Sequence, residues 1–164
     1  MGLTALESMP ELIATNRRNH TAYADALGGL DGLKLTAFDG PEDHNYQYVV
    51  LEVDEAQAGL SRDRLAEILR AENVITRRYF TPGCHRSEPY RSRDPHAAER
   101  LPVTEMLAQR TLALPTGTAI GPDQIAVIGS IVRLALEHAP ALQPVAALPR
   151  SAMSPARLDS AGPA

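Results

Sequence analysis

The sequence predicts an α+β fold: a small, mainly antiparallel sheet of three to four strands covered by helices. Two observations carry this. Segments with helical and strand periodicity run in the order helix, strand, strand, helix, strand, helix, strand, helix. The 164 residues suffice for one domain with a real core, and only 4% of them are aromatic, so that core must be built from Leu, Val, Ile and Ala. So few strands leave one sheet face for a partner surface to cover.

Pro10 to Leu27 reads as a helix, with proline in its first turn and Gly28-Gly29 at its end. Leu12, Ile13, Asn16, His20, Tyr23, Ala24 and Leu27 form its inward stripe. "LKLTAF", 33–38, predicts a short strand, "DGPED", 39–43, a turn, and "NYQYVVLEVD", 45–54, the best strand in the chain. Ser61 caps a second helix, which buries Leu65, Ile68 and Leu69 and stops at Glu72-Asn73. "VITRRYF", 74–80, predicts a further strand. Residues 81–102 carry four prolines and read as a long irregular segment. A helix over Val103 to Gln109 and a strand at "TLALP", 111–115, follow. The last helix, 121–139, starts with Pro122 and turns Ile125, Ile128, Ile131, Val132 and Leu136 inward. Residues 140–164 are rich in Pro, Ala, Ser and Arg without periodicity, and predict a disordered tail.

A net charge of −4, from 16 basic and 20 acidic residues, argues against a nucleic-acid or anionic-membrane partner. No apolar run approaches the ~20 residues that span a bilayer. "MGLTALESMPEL" lacks a cationic leader and the Ser or Thr of a myristoylation signal, since Leu6 stands there. Cys84 is the single cysteine, so no internal disulfide forms, and a reducing cytoplasmic setting is expected. Lys34 is the single lysine; every other cationic side chain is arginine, which forks onto carboxylates and phosphates but does not deprotonate.

Chemistry concentrates in "RYFTPGCHRSEPYR", 78–91. Cys84 and His85 invite a nucleophile–base reading, but neighbours in an extended stretch point to opposite sides. Cys84 with His44, His85 or His96 lacks the paired spacings of a zinc site. Arg77, Arg78, Arg86, Arg91 and Arg93 form an anion site if their forks converge, and a solvated basic rim otherwise; the rim is the favoured reading. Tyr46 and Tyr48 are same-face strand residues that pack. The glycines of "LGGLDG" end a helix and make a turn, and do not cradle phosphate.

Five stretches in order then point to one family: "ELIATNRRNHTAYADAL", "YQYVVLEVD", "SRDRLAEILRAENVITRRYFTPGCHRSEPYR", "LPVTEMLAQRTLALPTG" and "DQIAVIGSIVRLAL". From about Gly2 to His138 the chain resembles the C-terminal portion of the DegT/DnrJ/EryC1/StrS aminotransferases. These are pyridoxal-phosphate (PLP) enzymes of fold-type I, itself an α/β architecture, that aminate nucleotide-linked keto sugars. The resemblance implies residues 1–28 as the interdomain helix region and 29–139 as the small C-terminal domain. Met1 would then be internal to a longer enzyme. In this family an aromatic strand end, a proline turn with a histidine, and a Pro-Tyr-Arg group follow one another; here they are Tyr79, Pro82, His85, Pro89, Tyr90 and Arg91. The resemblance implies that this loop approaches cofactor and sugar near a homodimer interface. His85, Tyr79 and Tyr90 would bond sugar hydroxyls, and Arg78 and Arg91 the nucleotide diphosphate. The "PGCH" form resembles members acting on 4-keto-6-deoxy sugars.

Family chemistry also needs a lysine that holds PLP as an imine and an acid beside the pyridinium nitrogen. Both belong to the large domain, and Lys34 matches no such motif. The expectation is therefore a chain that shapes a substrate pocket and is inactive alone, with no catalytic residue and no metal site of its own. Either a large domain completes it, or it is a non-catalytic remnant or a dimerisation or ligand-binding module.

Overall fold

The computed structural model describes residues 6–38, 40 and 43–142. Its elements run α1 (Met9–Leu27), β1 (Leu33–Leu35), β2 (Val49–Val53), α2 (Glu55–Ala58), α3 (Arg62–Ala71), α4 (Tyr90–Arg93), α5 (Ala97–Arg100), α6 (Pro102–Arg110), β3 (Thr111–Leu114) and α7 (Pro122–Glu137), with 3-10 turns at Cys84–Arg86 and Ala139–Leu142.

The strands form one antiparallel sheet in the order β1-β2-β3. Leu51 stands at its centre, opposite Leu35 on one side and Leu112 on the other. Alternation sends Val49, Leu51, Val53, Leu112 and Leu114 to one face, where all are buried. That face packs on Tyr23 and Leu27 of α1, Leu65 and Leu69 of α3, and Ile125, Ile128 and Val132 of α7. Lys34, Val50, Glu52, Thr111 and Ala113 alternate onto the other face. The expected one-sided aliphatic core is present, with one exception. Tyr23 is fully buried, its hydroxyl donates to the Pro115 carbonyl at 2.9 Å, and burial pushes its pKa well above the usual phenol range.

Two strands are shorter than expected. The stretch 45–54 pairs only from Val49, because Asn45 Oδ1 accepts the Gln47 N–H at 3.1 Å and Tyr46 takes φ 51°, so a local turn displaces the ladder. Tyr46 and Tyr48 therefore do not share a strand face. Tyr46 joins Phe38 and His20, at 4.7 and 5.7 Å between ring centres, while Tyr48 meets Tyr79 at 5.8 Å. The predicted strand 74–80 contributes one bridge, in which Arg77 and Ala113 exchange both backbone hydrogen bonds, at 2.9 and 2.7 Å. Ile75 and Phe80 beside it are exposed, so burial does not reward extending the pairing.

The inward face of α1 also differs from the predicted stripe. Asn16, Asn19, Tyr23 and Leu27 are buried, while Leu12 and Ala24 are exposed. The partner helix explains the rotation: α1 lies along α7, where a Cβ on Gly129 would stand 2.7 Å from Ala26 Cβ. Asn19 is tolerated inside because its Nδ2 donates to the Gly117 carbonyl at 2.9 Å and the Ile120 carbonyl at 3.3 Å, tying α1 to the β3–α7 connection. The α3 start is as expected, with Ser61 Oγ accepting the Arg64 N–H at 3.2 Å.

The segment 81–102 is not irregular. It folds into the Cys84–Arg86 turn, α4 and α5, and leads into α6. Residues 140–142 belong to a 3-10 turn whose Leu142 carbonyl accepts from Arg64 Nε at 2.8 Å. The remainder of the predicted tail, 143–164, lies outside the described residues, as do 1–5 and, from the 39–43 turn, 39, 41 and 42. Among the described residues, no helix is long and apolar enough to cross a membrane.

Candidate functional site

The loop after β2–α3 is organised around one glycine and one carboxylate. Gly83 sits at φ 93°, and a Cβ there would lie 2.8 Å from His85 Cε1 and 3.0 Å from its Nδ1. The imidazole can occupy this position because the residue beneath it has no side chain. Its Nε2 meets Glu105 Oε1 on α6. Arg86 forks onto the same carboxylate, with Nε to Oε1 and Nη2 to Oε2 both at 2.7 Å. The Arg86 hydrogen bonds, then that of His85, hold the Glu105 pKa at about 2. Thr81 Oγ1 adds a further tie, donating to the Ala108 carbonyl at 3.1 Å. The His85 side chain is 8% exposed.

His85 and Tyr90 come together. With Cys84, Arg93, Asp94 and Leu101 they line a hollow of about 350 Å³. Cys84 and His85 lie in a helical turn, not an extended stretch, and both face this hollow. His85 turns its Nε2 to Glu105, so that nitrogen is not a base for the thiol.

The other predicted substrate residues stand elsewhere. Tyr79 lines a second hollow of about 180 Å³ with Tyr48, Val50, Phe80, Thr111 and Ala113, over the uncovered sheet face. Arg78 donates to Asp63 Oδ1 at 2.9 Å and lines a groove beside α3 with Arg70 and Arg77. Burial pushes the Asp63 pKa up, but the Arg78 hydrogen bond and the charges of Arg62 and Arg78 outweigh it, and the net shift is down. Arg91 donates to Glu88 Oε1 at 2.9 Å, and Glu88 also accepts from Ser92 Oγ at 2.6 Å. Ser92 first, then Arg91, lower the Glu88 pKa. Arg77, Arg78, Arg86, Arg91 and Arg93 thus spread over separate patches, and three of the five are bound to carboxylates.

Of the cysteine and histidines weighed for zinc, His44 packs its ring 5.0 Å from Phe38, and His96 Nδ1 lies 2.9 Å from Glu99 Oε1. Glu105 is the residue that sequence reasoning missed. Nothing local marks it, since an acid in the first turn of a helix is ordinary.

A PLP anchor does not fit this chain. Its only lysine, Lys34, is exposed on the edge strand β1 with Glu52 as its cross-strand partner, and it lines none of the hollows above. His85 and Tyr90 offer a wall for a ligand, not an amine for an aldehyde.

The DegT/DnrJ/EryC1/StrS aminotransferase family matches residues 1–133. The dTDP-4-amino-4,6-dideoxy-D-glucose transaminase of Escherichia coli is 24% identical over 131 residues, which are 80% of this chain and 35% of the relative. The structure of DesI, analysed in the presence of its TDP-sugar product, is similar with a TM-score of 0.79 and 50% identity, covering 87% of this chain and 36% of DesI. DesV of S. venezuelae, in complex with a ketimine intermediate, shares the fold with a TM-score of 0.71 at 23% identity, over 80% of this chain and 34% of its own. The chain spans about a third of the length of these relatives. The α+β architecture and its place among the fold-type I aminotransferases therefore agree with the sequence reading, and the chain belongs to the DegT/DnrJ/EryC1/StrS aminotransferase family.

Proposed function

We propose that this chain is the C-terminal, small-domain portion of a PLP-dependent aminotransferase acting on a nucleotide-linked keto-deoxy sugar in amino-sugar biosynthesis. The observation that carries the reading is the likeness to DesI: half of the aligned residues are identical over 87% of this chain, yet only 36% of DesI is covered. That identity supports a related substrate, and the TDP-sugar of DesI makes a TDP-linked sugar the first to try.

In this reading residues 1–28 are the interdomain helix region, 29–139 the small domain and 140–164 a tail. His85 and Tyr90 meet sugar hydroxyls from their shared hollow, with Tyr79 presented from the sheet face. Arg78 and Arg91 release their carboxylates to meet the diphosphate once a large domain and a second subunit close over the loop. The imine-forming lysine and the acid for the pyridinium nitrogen come from that large domain. When bound, PLP supplies the electron sink for amino transfer; the role of this chain is to bind and orient the sugar.

The exposed position of Lys34 favours a second reading for the chain by itself, a non-catalytic binding or dimerisation module. One experiment separates them. The purified chain is mixed with PLP, an amino donor and a TDP-linked keto sugar, with and without a separately expressed large domain of a family member. Amino sugar detected by mass spectrometry only in the presence of the large domain is the expected result. No product in either mixture selects the non-catalytic module. Product from the chain alone overturns both readings.

A further inference from the structure

Glu105 receives His85 Nε2 and both forks of Arg86 on a single carboxylate of α6. A carboxylate gripped by a guanidinium stays ionised and can only accept hydrogen bonds. The ring nitrogen facing it must carry the proton. In the neutral ring the other nitrogen, Nδ1, then has a lone pair to offer. It lies on the side of the ring where Gly83 has no Cβ, and a Cβ there would be 3.0 Å from it. The same ring lines the hollow with Cys84, Tyr90 and Arg93.

We infer that Glu105 is a positioning residue. Held by Arg86, it locks His85 as the Nε2–H tautomer, so that the imidazole offers a ligand in the hollow a hydrogen-bond acceptor at Nδ1 and not a donor. This deepens, and rests on, the reading of that hollow as the sugar-facing wall. The recognised group is a hydroxyl that donates to Nδ1, while the Tyr90 hydroxyl can donate or accept beside it. A carbonyl, which cannot donate, is disfavoured at that nitrogen.

The test uses the full chain with ¹⁵N-labelled histidine and long-range proton–nitrogen correlation at about pH 9, above the ordinary imidazole range. The His85 signal is identified by its loss in His85→Gln. The expected spectrum shows a protonated Nε2 and a bare Nδ1. Glu105→Gln keeps this tautomer, because an amide oxygen still accepts from Nε2–H. Glu105→Ala gives a mixture of tautomers, and trypsin cuts after Arg86, Arg91 or Arg93 roughly 10-fold faster, as expected when charge-assisted bonds are removed from a loop. A protonated Nδ1 in the wild type, or a Glu105→Ala spectrum like the wild type, overturns the inference. If Glu105→Ala does not fold, the wild-type and Glu105→Gln spectra decide alone. Neither readout requires turnover. A chain that shows the Nε2–H tautomer but fails to work with a large domain keeps the positioning role and loses the aminotransferase reading.

Discussion

At the scale of single residues, Gly83 and Glu105 hold the same imidazole by different means, one by leaving room and the other by charge. The Glu105 pKa drops from 4.5 to about 2 on folding, so the carboxylate is bound more tightly to its partners in the native state. Its stabilising contribution is complete above pH 4.5 and is lost as pH falls through about 2. Asp63 and Glu88 shift in the same direction and add to the acid sensitivity of the segment. Thermal melts of the wild type and Glu105→Gln should therefore differ at pH 6 and converge toward pH 2; a difference that stays constant across this window would show that the charge of Glu105 does not contribute. Gly83→Ala acts on the backbone instead. It places an L-residue at φ 93°, ψ 149°, a positive-φ extended conformation that glycine almost alone adopts, and a methyl group against the ring, at a cost of about 1–3 kcal/mol from the backbone alone. Faster tryptic cleavage between Arg86 and Arg93, with little change in the circular dichroism, is the expected outcome.

At the scale of elements, the α1–α7 contact organises the covered face of the sheet. Gly129→Ala sets two effects against each other. Alanine gains up to about 1 kcal/mol of helix propensity over glycine. Overpacking a tight contact costs about 1–3 kcal/mol, and here the added Cβ would stand 2.7 Å from Ala26 Cβ. The second effect should win, and a lowered melting temperature tests the sign. This contact also shows what the sequence could not convey. The face of α7 was legible because Ile125, Ile128 and Val132 repeat cleanly, and Ser61 announced α3 because capping is local. The face of α1 was read correctly at Asn16, Tyr23 and Leu27 but missed Asn19, whose inward position depends on partners such as the Gly117 carbonyl, 98 residues away. The same logic divides the site. The crowded loop drew attention to His85 and Tyr90. Its folding into short helices, and the grip of Glu105 from 20 residues away, depend on tertiary contacts that leave no periodic trace.

At the scale of the whole molecule, the sheet has helices on one face and an aromatic patch on the other. Tyr48, Tyr79 and Phe80 are exposed by 52, 45 and 72%, and their rings lie 5.8 and 5.4 Å apart in succession. Under the proposed function, this is a face that a large domain would cover. Magnitudes limit what the patch does alone. Full burial of three such side chains is worth roughly 1.5–3 kcal/mol each. Association of two molecules costs an estimated ~4–15 kcal/mol before any contact is counted. The patch should therefore support weak, concentration-dependent self-association but not a tight dimer. Sedimentation velocity of the purified chain should show an average mass that rises with concentration and persists at high salt, as expected for an apolar contact. The double variant Tyr79→Ser/Phe80→Ser should remain monomeric over the same range. If the wild type is also monomeric throughout, the patch is too small to act without a larger partner. If the variant associates equally well, the contact lies elsewhere, and the exposed Leu6, Met9 and Leu12 at the start of the chain become the surface to test. An added large domain that binds this face would compete with self-association, so its titration should return the average mass to that of a single one-to-one complex.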